Sequence, residues 1–169
     1  MTVEFVPAGS AAELAAIAQL AREIWYEYYV PLIGKAQVDY MVERFQSPSA
    51  LQQQVAEGYE YFMMRQDGAA GGALGYIAVQ AQPAQRQLFI SKLYLHRNTR
   101  GRGTGRVAME FIEQLALSRD IALLWLTVNK GNQAVQFYEQ LGFHNAGAIV
   151  TDIGNGFVMD DFRMEKRLG

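Results

Sequence analysis

The fold of this chain is decided by one stretch, Leu93-Tyr94-Leu95-His96-Arg97-Asn98-Thr99-Arg100-Gly101-Arg102-Gly103-Thr104-Gly105-Arg106. It joins an apolar strand pattern to a helical pattern through three glycines at every second position. Glycine adopts positive φ without strain and lets a ligand approach the backbone closely. A helix start adds unpaired N–H donors and a partial positive charge, which suit a pyrophosphate. Residues 100–106, termed the glycine loop, are therefore interpreted as a phosphate-binding turn to which three arginines add positive charge.

Two common phosphate-binding motifs do not fit the glycine loop. A Walker loop needs a lysine followed by serine or threonine after its last glycine, whereas Arg106-Val107 follows Gly105. The dinucleotide fingerprint needs a third glycine or alanine for close helix–strand packing, and Arg106 occupies that position. A nucleotide-binding module is therefore disfavoured. An ordinary strand-to-helix connection is the simplest alternative for a glycine-rich turn taken by itself.

A second motif follows further along the chain, Asn132-Gln133-Ala134-Val135-Gln136-Phe137-Tyr138-Glu139-Gln140-Leu141-Gly142-Phe143. It matches the pattern Asn-x-Ala-x-x-x-Tyr-Glu-x-x-Gly-Phe, and the glycine loop matches Arg/Gln-x-x-Gly-x-Gly/Ala. The two motifs in this order resemble the GNAT (Gcn5-related) N-acetyltransferases, most closely over residues 74–168. The resemblance implies an α/β fold in a single GNAT-like domain over residues 1–169. Its sheet is expected to be mixed, mostly antiparallel and splayed at the cofactor site, with about four to five flanking helices.

Composition limits the function classes. The chain has 169 residues, 50% of them hydrophobic and 19% charged, which is typical of one globular domain. Its net charge of −2 provides no bulk positive field for nucleic acid. It contains no cysteine, which excludes disulfides, thiolate metal sites and an acyl-cysteine intermediate. The first residues lack a signal-peptide pattern and no apolar run could span a membrane. We expect a cytoplasmic protein without a metal, a membrane or a nucleic-acid partner.

Hydrophobic periodicity and turn residues predict the elements. Ser10 and Glu13 form a capping-box pattern at the start of a long helix, which Pro31 and Gly34 end. Further helices are predicted over residues 36–45, 49–57 and 103–119, and another between Asn132, its expected cap, and Gly142. Strands are predicted over residues 2–6, 59–65, 75–80, 88–95, 122–128, 146–152 and 157–166, with turns at Asp67-Gly68 and Gly154-Asn155-Gly156.

The long helix before the second motif is expected to face the core with one stripe. Its apolar residues at helical spacing are Val107, Phe111 and Leu115. The helix that begins at Asn132 is likewise expected to present Ala134, Phe137, Tyr138 and Leu141 on one face.

The family resemblance implies how acetyl-CoA, the expected cosubstrate, is held. The amides of the glycine loop are expected to bind the pyrophosphate, and the strand before it to take the pantetheine arm as a pseudo-strand. An amide of this strand could also donate to the thioester carbonyl. Asn132 is expected to contact the cofactor or to serve only as a helix cap, and Asn129 is a weaker candidate. The expected cofactor-binding residues are Leu93, Tyr94, Leu95, Arg100, Gly101, Arg102, Gly103, Thr104, Gly105, Arg106 and Asn132.

The resemblance also implies the catalytic acid. Tyr138 matches the family tyrosine whose hydroxyl protonates the coenzyme A sulfur, and an ordinary phenol of pKa about 10 is protonated at neutral pH. The alternative is a packed aromatic residue. The base is open, because Ser91 stands where many relatives carry a glutamate. Glu27 is the first candidate for the base. The other candidates are Asp160, Asp161, His144, His96 and a chain of water molecules, and both histidines are expected to be exposed.

The acceptor is expected to be a primary amine of a small molecule or a peptide. The segment Trp25-Tyr26-Glu27-Tyr28-Tyr29-Val30-Pro31-Leu32-Ile33 combines aromatic faces with a carboxylate, which suits a small cationic amine. Trp25 and Tyr28 also fit the core face of a helix. A polyamine, an amino acid, an aminoglycoside, a lysine and a peptide N-terminus all stay open, as does a homodimer. The alternative function is a catalytically silent acyl-CoA-binding module.

Overall fold

The computed structural model describes residues 2–66 and 72–169, and these residues form two compact units. The first unit contains the chain up to Gln80 together with Lys92–Met109, and the second contains Ala81–Ser91 and Glu110–Gly169. The predicted hairpin turn at Asp67-Gly68 lies outside the described residues.

The first unit begins with strand β1 (Val3–Ala8) and four helices: α1 (Ala11–Tyr28), α2 (Val30–Ile33), α3 (Lys35–Phe45) and α4 (Pro48–Ala56). Both halves of the predicted capping box are present at α1, where the Ser10 side chain accepts from the Glu13 amide and the Glu13 carboxylate accepts from the Ser10 amide. Leu14, Ile17, Ile24 and Trp25 form the buried stripe of α1. The chain leaves α2 at Gly34, whose φ of 87° is readily available only to glycine.

Strands β2 (Glu60–Gln66) and β3 (Ala73–Gln82) pair antiparallel, and β1 pairs antiparallel with β2 from Val3↔Gln66 to Ala8↔Tyr61. Strand β4 (Gln87–Leu95) follows, and its backbone comes very close to that of β3. A Cβ atom placed on Gly75 would lie 2.2 Å from the Tyr94 carbonyl oxygen. Glycine at residue 75 is therefore what allows this close approach.

The second unit contains strands β5 (Leu123–Asn129), β6 (His144–Gly154) and β7 (Phe157–Arg167) and helix α6 (Ala134–Gln140). Strand β7 pairs antiparallel with β5, from Leu123↔Arg167 to Asn129↔Asp161, and with β6 on its other side. The turn from β6 to β7 uses Gly154, Asn155 and Gly156, all with positive φ, as the sequence predicts. The parallel ladder between β4 and β5 has three pairs, from Gln87↔Leu123 to Phe89↔Trp125, although both strands continue beyond it.

The seven strands form one mixed sheet in the order β1-β2-β3-β4-β5-β7-β6. The expected α/β fold is confirmed. Among the strand pairs whose register the described residues give, β4–β5 is parallel and β1–β2, β2–β3, β5–β7 and β6–β7 are antiparallel. The described residues contain six helices, counting α5 (Thr104–Ser118), and the four-residue α2 accounts for the one beyond the expected four to five. In the described part of the chain, none of these helices is both long and apolar enough to cross a membrane.

The prediction for the inward face of α5 is wrong. Beyond its first turn, its buried residues are Ala108, Met109, Ile112 and Ala116, whereas Val107 is 38% exposed and Phe111 and Leu115 are only half-buried. The predicted and the observed buried faces are offset by one residue, which is a rotation of about 100° around the helix axis. Both sets of residues have the spacing of a helix face, so periodicity does not distinguish them. The small side chains of Ala108 and Ala116 allow close packing, which an argument from hydrophobicity alone overlooks.

Candidate functional site

The glycine loop has the backbone conformation that its glycines suggest. Gly101 and Gly103 have φ of 78° and 79°, the left-handed region that other residues rarely enter. A Cβ atom added at either position would meet nothing within 4 Å, so the loop faces open space. Both positions therefore leave space beside the backbone of the loop.

Two buried threonines close the loop at its base. Thr99 and Thr104 are 3% and 1% exposed, and their hydroxyl oxygens are 2.7 Å apart. The Thr104 hydroxyl lies 3.4 Å from the Thr99 carbonyl oxygen as well. Helix α5 starts at Thr104, within one residue of the predicted start, so its first amides follow the loop directly. The loop is thereby held in shape by its own side chains.

The three loop arginines do not behave alike. Arg102 and Arg106 are exposed, whereas Arg100 is turned towards α1. Its Nη2 lies 2.7 Å from Glu27 Oε1, its guanidinium carbon lies 4.7 Å from the centre of the Tyr28 ring, and its Nε donates to the Leu95 carbonyl at 3.1 Å. The contact with Glu27 is an ion pair rather than a hydrogen bond. The sequence indicates the charge of Arg100 but not this direction of its side chain.

The strand before the loop is anchored by an aromatic cluster. The Tyr94 ring packs edge-on against Trp25 at 5.3 Å and Tyr29 at 6.0 Å, and it lies 5.3 Å from Tyr76. Trp25 is 3% exposed and stacks on Tyr29 at 4.3 Å, which confirms its core role, whereas Tyr28 is half-buried. The side chain of Tyr94 is thereby held in this cluster.

A cavity of about 480 Å³ lies on the α1 side of residues 96–102 in the first unit. Glu23 from α1 and Arg102 bring charges of opposite sign to its lining, and His96 lines it as well. The expectation that His96 is exposed is wrong, since its side chain is 24% exposed, its Nε2 lies 3.8 Å from Glu23 Oε2, and its Nδ1 accepts from the Asn98 amide at 3.3 Å. His96 is also the N-cap residue of the following 3₁₀ turn.

The second motif forms the turn and helix after β5. Tyr138 is 8% exposed on α6, with its ring 5.3 Å from Phe137 and 5.7 Å from Phe143. Asn132 is 7% exposed, and its side-chain oxygen accepts from the Ala134 amide at 2.8 Å. The helix begins at Ala134, two residues after Asn132, and Gln133 occupies the N-cap position. Asn132 therefore caps the first turn from one residue before the N-cap, whereas the sequence predicts that it is the cap itself. Asn129 accepts from the Gly131 amide in the same turn.

The candidate bases have different surroundings. Asp161 on β7 is 4% exposed, and its burial, with the charge of Asp160, raises its pKa to about 6 against the weaker opposing effects of Thr127 and Lys130. Asp160 is exposed and forms a 2.9 Å ion pair with Lys130. Ser91 is half-buried, and His144 is 62% exposed, as the sequence predicts. Asp161 thus has the pKa of a group that exchanges protons near neutral pH.

Sequence reasoning missed one perturbed group, Lys92 on β4. It is 5% exposed, its Nζ donates to the Phe45 carbonyl at 2.6 Å and to Gln54 Oε1 at 3.0 Å, and burial lowers its pKa to about 7. A period-two signal was available, because Leu88, Ile90 and Lys92 share the buried face of β4. No group of three or more metal-ligating side chains occurs among the described residues.

The sequence matches the family model for an acetyltransferase (GNAT) domain over residues 30–168. The chain belongs to the GNAT acetyltransferase family. Among curated proteins, none matches the sequence significantly. The family assignment confirms the resemblance that the two motifs carry.

Solved GNAT structures share this fold. The PaiA N-acetyltransferase from Thermoplasma acidophilum, in complex with coenzyme A, has a TM-score of 0.80 at 19% identity, covering 99% of this chain and 100% of that one. The ribosomal-protein-S18-alanine N-acetyltransferase from Escherichia coli has a TM-score of 0.69 at 18% identity, covering 99% and 94%. A spermidine N-acetyltransferase chimera that includes the Vibrio cholerae protein has a TM-score of 0.70 at 17% identity, covering 98% and 94%. At these identities the likeness shows a common fold.

Proposed function

We propose that this GNAT protein is an acetyl-CoA-dependent N-acetyltransferase that acetylates a primary amine. The observation that carries the proposal is the glycine loop, in which two left-handed glycines face open space immediately before α5. Such a loop suits a pyrophosphate because the first amides of a helix have no intrahelical partner and lie at the positive end of its dipole. The family match supplies the remaining support.

Each cofactor contact is proposed from the surroundings of its residue. The amides of residues 100–106 hold the pyrophosphate, and the exposed Arg102 and Arg106 supply charge. Arg100 contributes its amide, since its guanidinium is engaged by Glu27 and Tyr28. The backbone of Leu93, Tyr94 and Leu95 holds the pantetheine arm, and the buried Asn132 adds a polar contact from the second motif.

The proposed chemistry is direct transfer without an acyl-enzyme. When bound, acetyl-CoA supplies an activated thioester. The amine nitrogen forms a bond with the acetyl carbon while the carbon–sulfur bond breaks, a base takes the proton from nitrogen, and Tyr138 gives its phenolic proton to sulfur. This division of roles requires a protonated phenol, and a buried tyrosine keeps its proton at neutral pH.

Glu27 and Asp161 are the two proposed bases. Glu27 forms an ion pair with Arg100 at 2.7 Å, so its carboxylate is already engaged by another side chain. Asp161 has a pKa of about 6, so its carboxylate form predominates at neutral pH and still accepts a proton readily. The raised pKa of Asp161 and the ion pair of Glu27 support Asp161 as the first proposed base, ahead of Glu27.

The proposed acceptor is an amine, either of a small molecule or of a peptide. Residues 25–33 include Glu27 and the half-buried Tyr26, Tyr28 and Tyr29, which suit a small cationic amine such as a polyamine. The fold is shared with an enzyme named for spermidine and with one named for a protein alanine. Both a small-molecule amine and a peptide amine are therefore proposed for screening.

Release of coenzyme A thiol from acetyl-CoA, measured over a panel of amines, tests the function. We expect turnover with at least one amine and a loss of turnover of about 10²–10⁴-fold in Tyr138→Phe, with cofactor affinity unchanged. Phe137→Leu, which changes a neighbouring half-buried ring, is the matched control and should retain turnover. Unchanged turnover in Tyr138→Phe would contradict the acid role. Cofactor binding without turnover on any amine would favour the silent acyl-CoA-binding module.

The pH dependence of kcat/KM distinguishes the bases. If Asp161 is the base, activity falls as the pH drops below about 6, and Asp161→Asn removes most of the activity. Asp160→Asn removes the neighbouring charge that helps raise the pKa of Asp161, so this variant should stay active while its acidic limb moves to lower pH. A profile that keeps its acidic limb in Asp161→Asn but loses it in Glu27→Gln would return the role to Glu27.

A further inference from the structure

One face of the sheet in the second unit is only partly covered. The register pairs Phe89 with Trp125 and Trp125 with Glu165, and alternate side chains of each strand point to the same face. This face, termed the open face, therefore carries Phe89 of β4, Trp125 and Thr127 of β5, and Asp161, Arg163 and Glu165 of β7. Asp161 is buried and the other five are half-buried. All six residues lie in the second unit.

The guanidinium of Arg163 is held in place on the open face. The rings of Phe89 and Trp125 stack with their centroids 4.1 Å apart, and the guanidinium carbon of Arg163 lies 4.0 Å from the centre of the Trp125 ring. Trp125 Nε1 donates to Gln82 Oε1 at 2.9 Å, which fixes the indole. Arg163 Nε donates to Glu165 Oε2 at 2.7 Å. The guanidinium is therefore oriented by a ring and by a carboxylate before any ligand binds.

Two nitrogen atoms of Arg163 are available to a ligand. Within the described residues, its side chain contacts the Trp125 ring and, through Nε, the Glu165 carboxylate, so Nη1 and Nη2 have no hydrogen-bond partner there. The side chain is 31% exposed. The two Nη groups form a planar fork that binds a carboxylate through two parallel hydrogen bonds. A carboxylate suits this site better than a dianionic phosphate, because Glu165 and Asp161 repel a second negative charge.

Asp161 supplies a partner for an ammonium group on the same face. It lies two residues from Arg163 on β7 and is 4% exposed. Within the described residues its carboxylate forms no ion pair, and the nearby Lys130 is paired with Asp160 at 2.9 Å. A buried carboxylate without a counter-ion is costly, and the ammonium group of a ligand reduces that cost by pairing with it.

The distance between the two groups limits the length of the ligand. Trp125 lies opposite Glu165, on the side of Arg163 away from Asp161, and the guanidinium contacts both Trp125 and Glu165. Since alternate residues of a strand are roughly 7 Å apart, the two charged groups are roughly 7–10 Å apart. Two hydrogen bonds of about 2.9 Å each leave room for an amine nitrogen and a carboxylate joined by about one to three carbon atoms.

We propose that the acceptor is an amino acid whose ammonium group binds Asp161 and whose carboxylate binds the Nη fork of Arg163. This inference rests on the proposed acetyl transfer, in which Asp161 is the first proposed base and therefore contacts the amine. A polyamine brings a second cationic group towards Arg163, and a peptide amine brings an uncharged amide at this distance. Among the acceptors proposed above, the open face thus favours a small zwitterion.

Release of coenzyme A thiol with matched acceptors tests the inference. The protein amino acids and 4-aminobutanoate are each compared with the amine that lacks the carboxylate, such as tyrosine with tyramine and lysine with cadaverine. Because a hydrogen-bonded charge pair is involved, kcat/KM should be about tenfold or more higher for the best amino acid than for its amine. Arg163→Gln should lower kcat/KM for that amino acid about tenfold or more, chiefly through KM, and change it less than about twofold for the amine.

Two further variants control for the loss of a charge and for misfolding. Arg167→Gln removes the same charge from an exposed residue at the end of β7 and should retain the wild-type preference. Arg163→Lys keeps the charge without the planar fork, so its kcat/KM for the amino acid should lie between those of the wild type and Arg163→Gln. It replaces Arg163→Gln if that variant does not fold.

Tryptophan fluorescence measures binding separately from turnover. A carboxylate on Arg163 changes the surroundings of the Trp125 indole, whereas Trp25, the other tryptophan, is 3% exposed in the first unit. With coenzyme A present, the best amino acid should give a saturable change in the wild type. This change should be lost in Trp125→Phe and should need about tenfold more ligand in Arg163→Gln.

The outcomes separate this inference from the proposed function. Equal or higher kcat/KM for amines without a carboxylate overturns the inference and leaves the acetyl transfer in place. Saturable binding of an amino acid without turnover of any acceptor supports the amino-acid site and contradicts the acetyl transfer. Neither turnover nor binding overturns both. An Arg163→Gln variant with the wild-type preference overturns the role of Arg163.

Discussion

At the scale of single residues, Gly75 and Tyr138 each have a role that depends on the identity of one residue. Gly75 is required because the Tyr94 carbonyl oxygen would lie 2.2 Å from its Cβ atom, a distance that no real Cβ atom tolerates. Tyr138 is buried among aromatic rings, so its phenol is both part of the packing and the proposed acid. The first role follows from sterics and the second awaits the kinetic test.

Gly75→Ala should destabilise the protein by about 1–3 kcal/mol, because backbone must move to accept the methyl group. The displaced backbone is that of Tyr94 and Leu95, so affinity for coenzyme A should fall as well. Urea unfolding and cofactor titration measure the two effects. Gly9→Ala is the control, since nothing lies within 4 Å of its added Cβ atom. Equal stability of the two variants would show that β3 and β4 separate easily.

At the scale of elements, a buried polar network joins helices α3 and α4 to the strands. Lys92 donates to the carbonyl of Phe45, the last residue of α3, and to Gln54 of α4. The Gln54 amide donates to the same carbonyl at 3.1 Å, the Tyr61 hydroxyl donates to Gln54 Oε1, and the Lys92 ammonium lies 5.2 Å from the Tyr61 ring centre. No carboxylate belongs to this network, which explains why burial lowers the pKa of Lys92 so far.

The folding free energy should depend on pH through Lys92. Its pKa falls from 10.5 to about 7 on folding, so between these values the unfolded chain binds more protons and stability rises with pH. The maximum slope is about 1.4 kcal/mol per pH unit. Urea unfolding from pH 7 to 9.5 should show this rise in the wild type and its loss in Lys92→Met. Lys35→Met is the control, because the hydrogen bond and ion pair with Asp39 raise the pKa of that exposed lysine instead of lowering it. Parallel profiles for wild type and Lys92→Met would contradict the assignment.

At the scale of the whole molecule, cofactor binding should appear as a gain in stability. A ligand at a hundred times its Kd adds about 2.7 kcal/mol to the free energy of unfolding. For a chain of this size, excess acetyl-CoA should raise the thermal midpoint by roughly 5–10 °C. ATP and NAD are the controls, because neither the Walker nor the dinucleotide pattern is present. No shift with acetyl-CoA would count against the proposed role of the glycine loop.

Most of the fold could be predicted from the sequence because its signals are local. The capping box at Ser10, the turn at Gly154-Asn155-Gly156 and the start of α5 after Gly103 depend on residues close in the chain, and all three are present. The order of strands and helices follows from the same kind of signal. The family could be identified from two motifs, because their residues and their spacing are specific.

The directions and environments of side chains needed the tertiary structure, because they depend on partners distant in the chain. Arg100 carries a charge wherever it stands, but only the fold brings Glu27 to 2.7 Å and turns the guanidinium towards α1. The inward face of α5 depended on whether Ala108 or Val107 packs more closely, which periodicity cannot distinguish. The pKa values of Asp161 and Lys92 depend on burial by other elements. The sequence by itself therefore determined the family and the order of the elements. The tertiary structure decided which groups are buried and how their charges are affected.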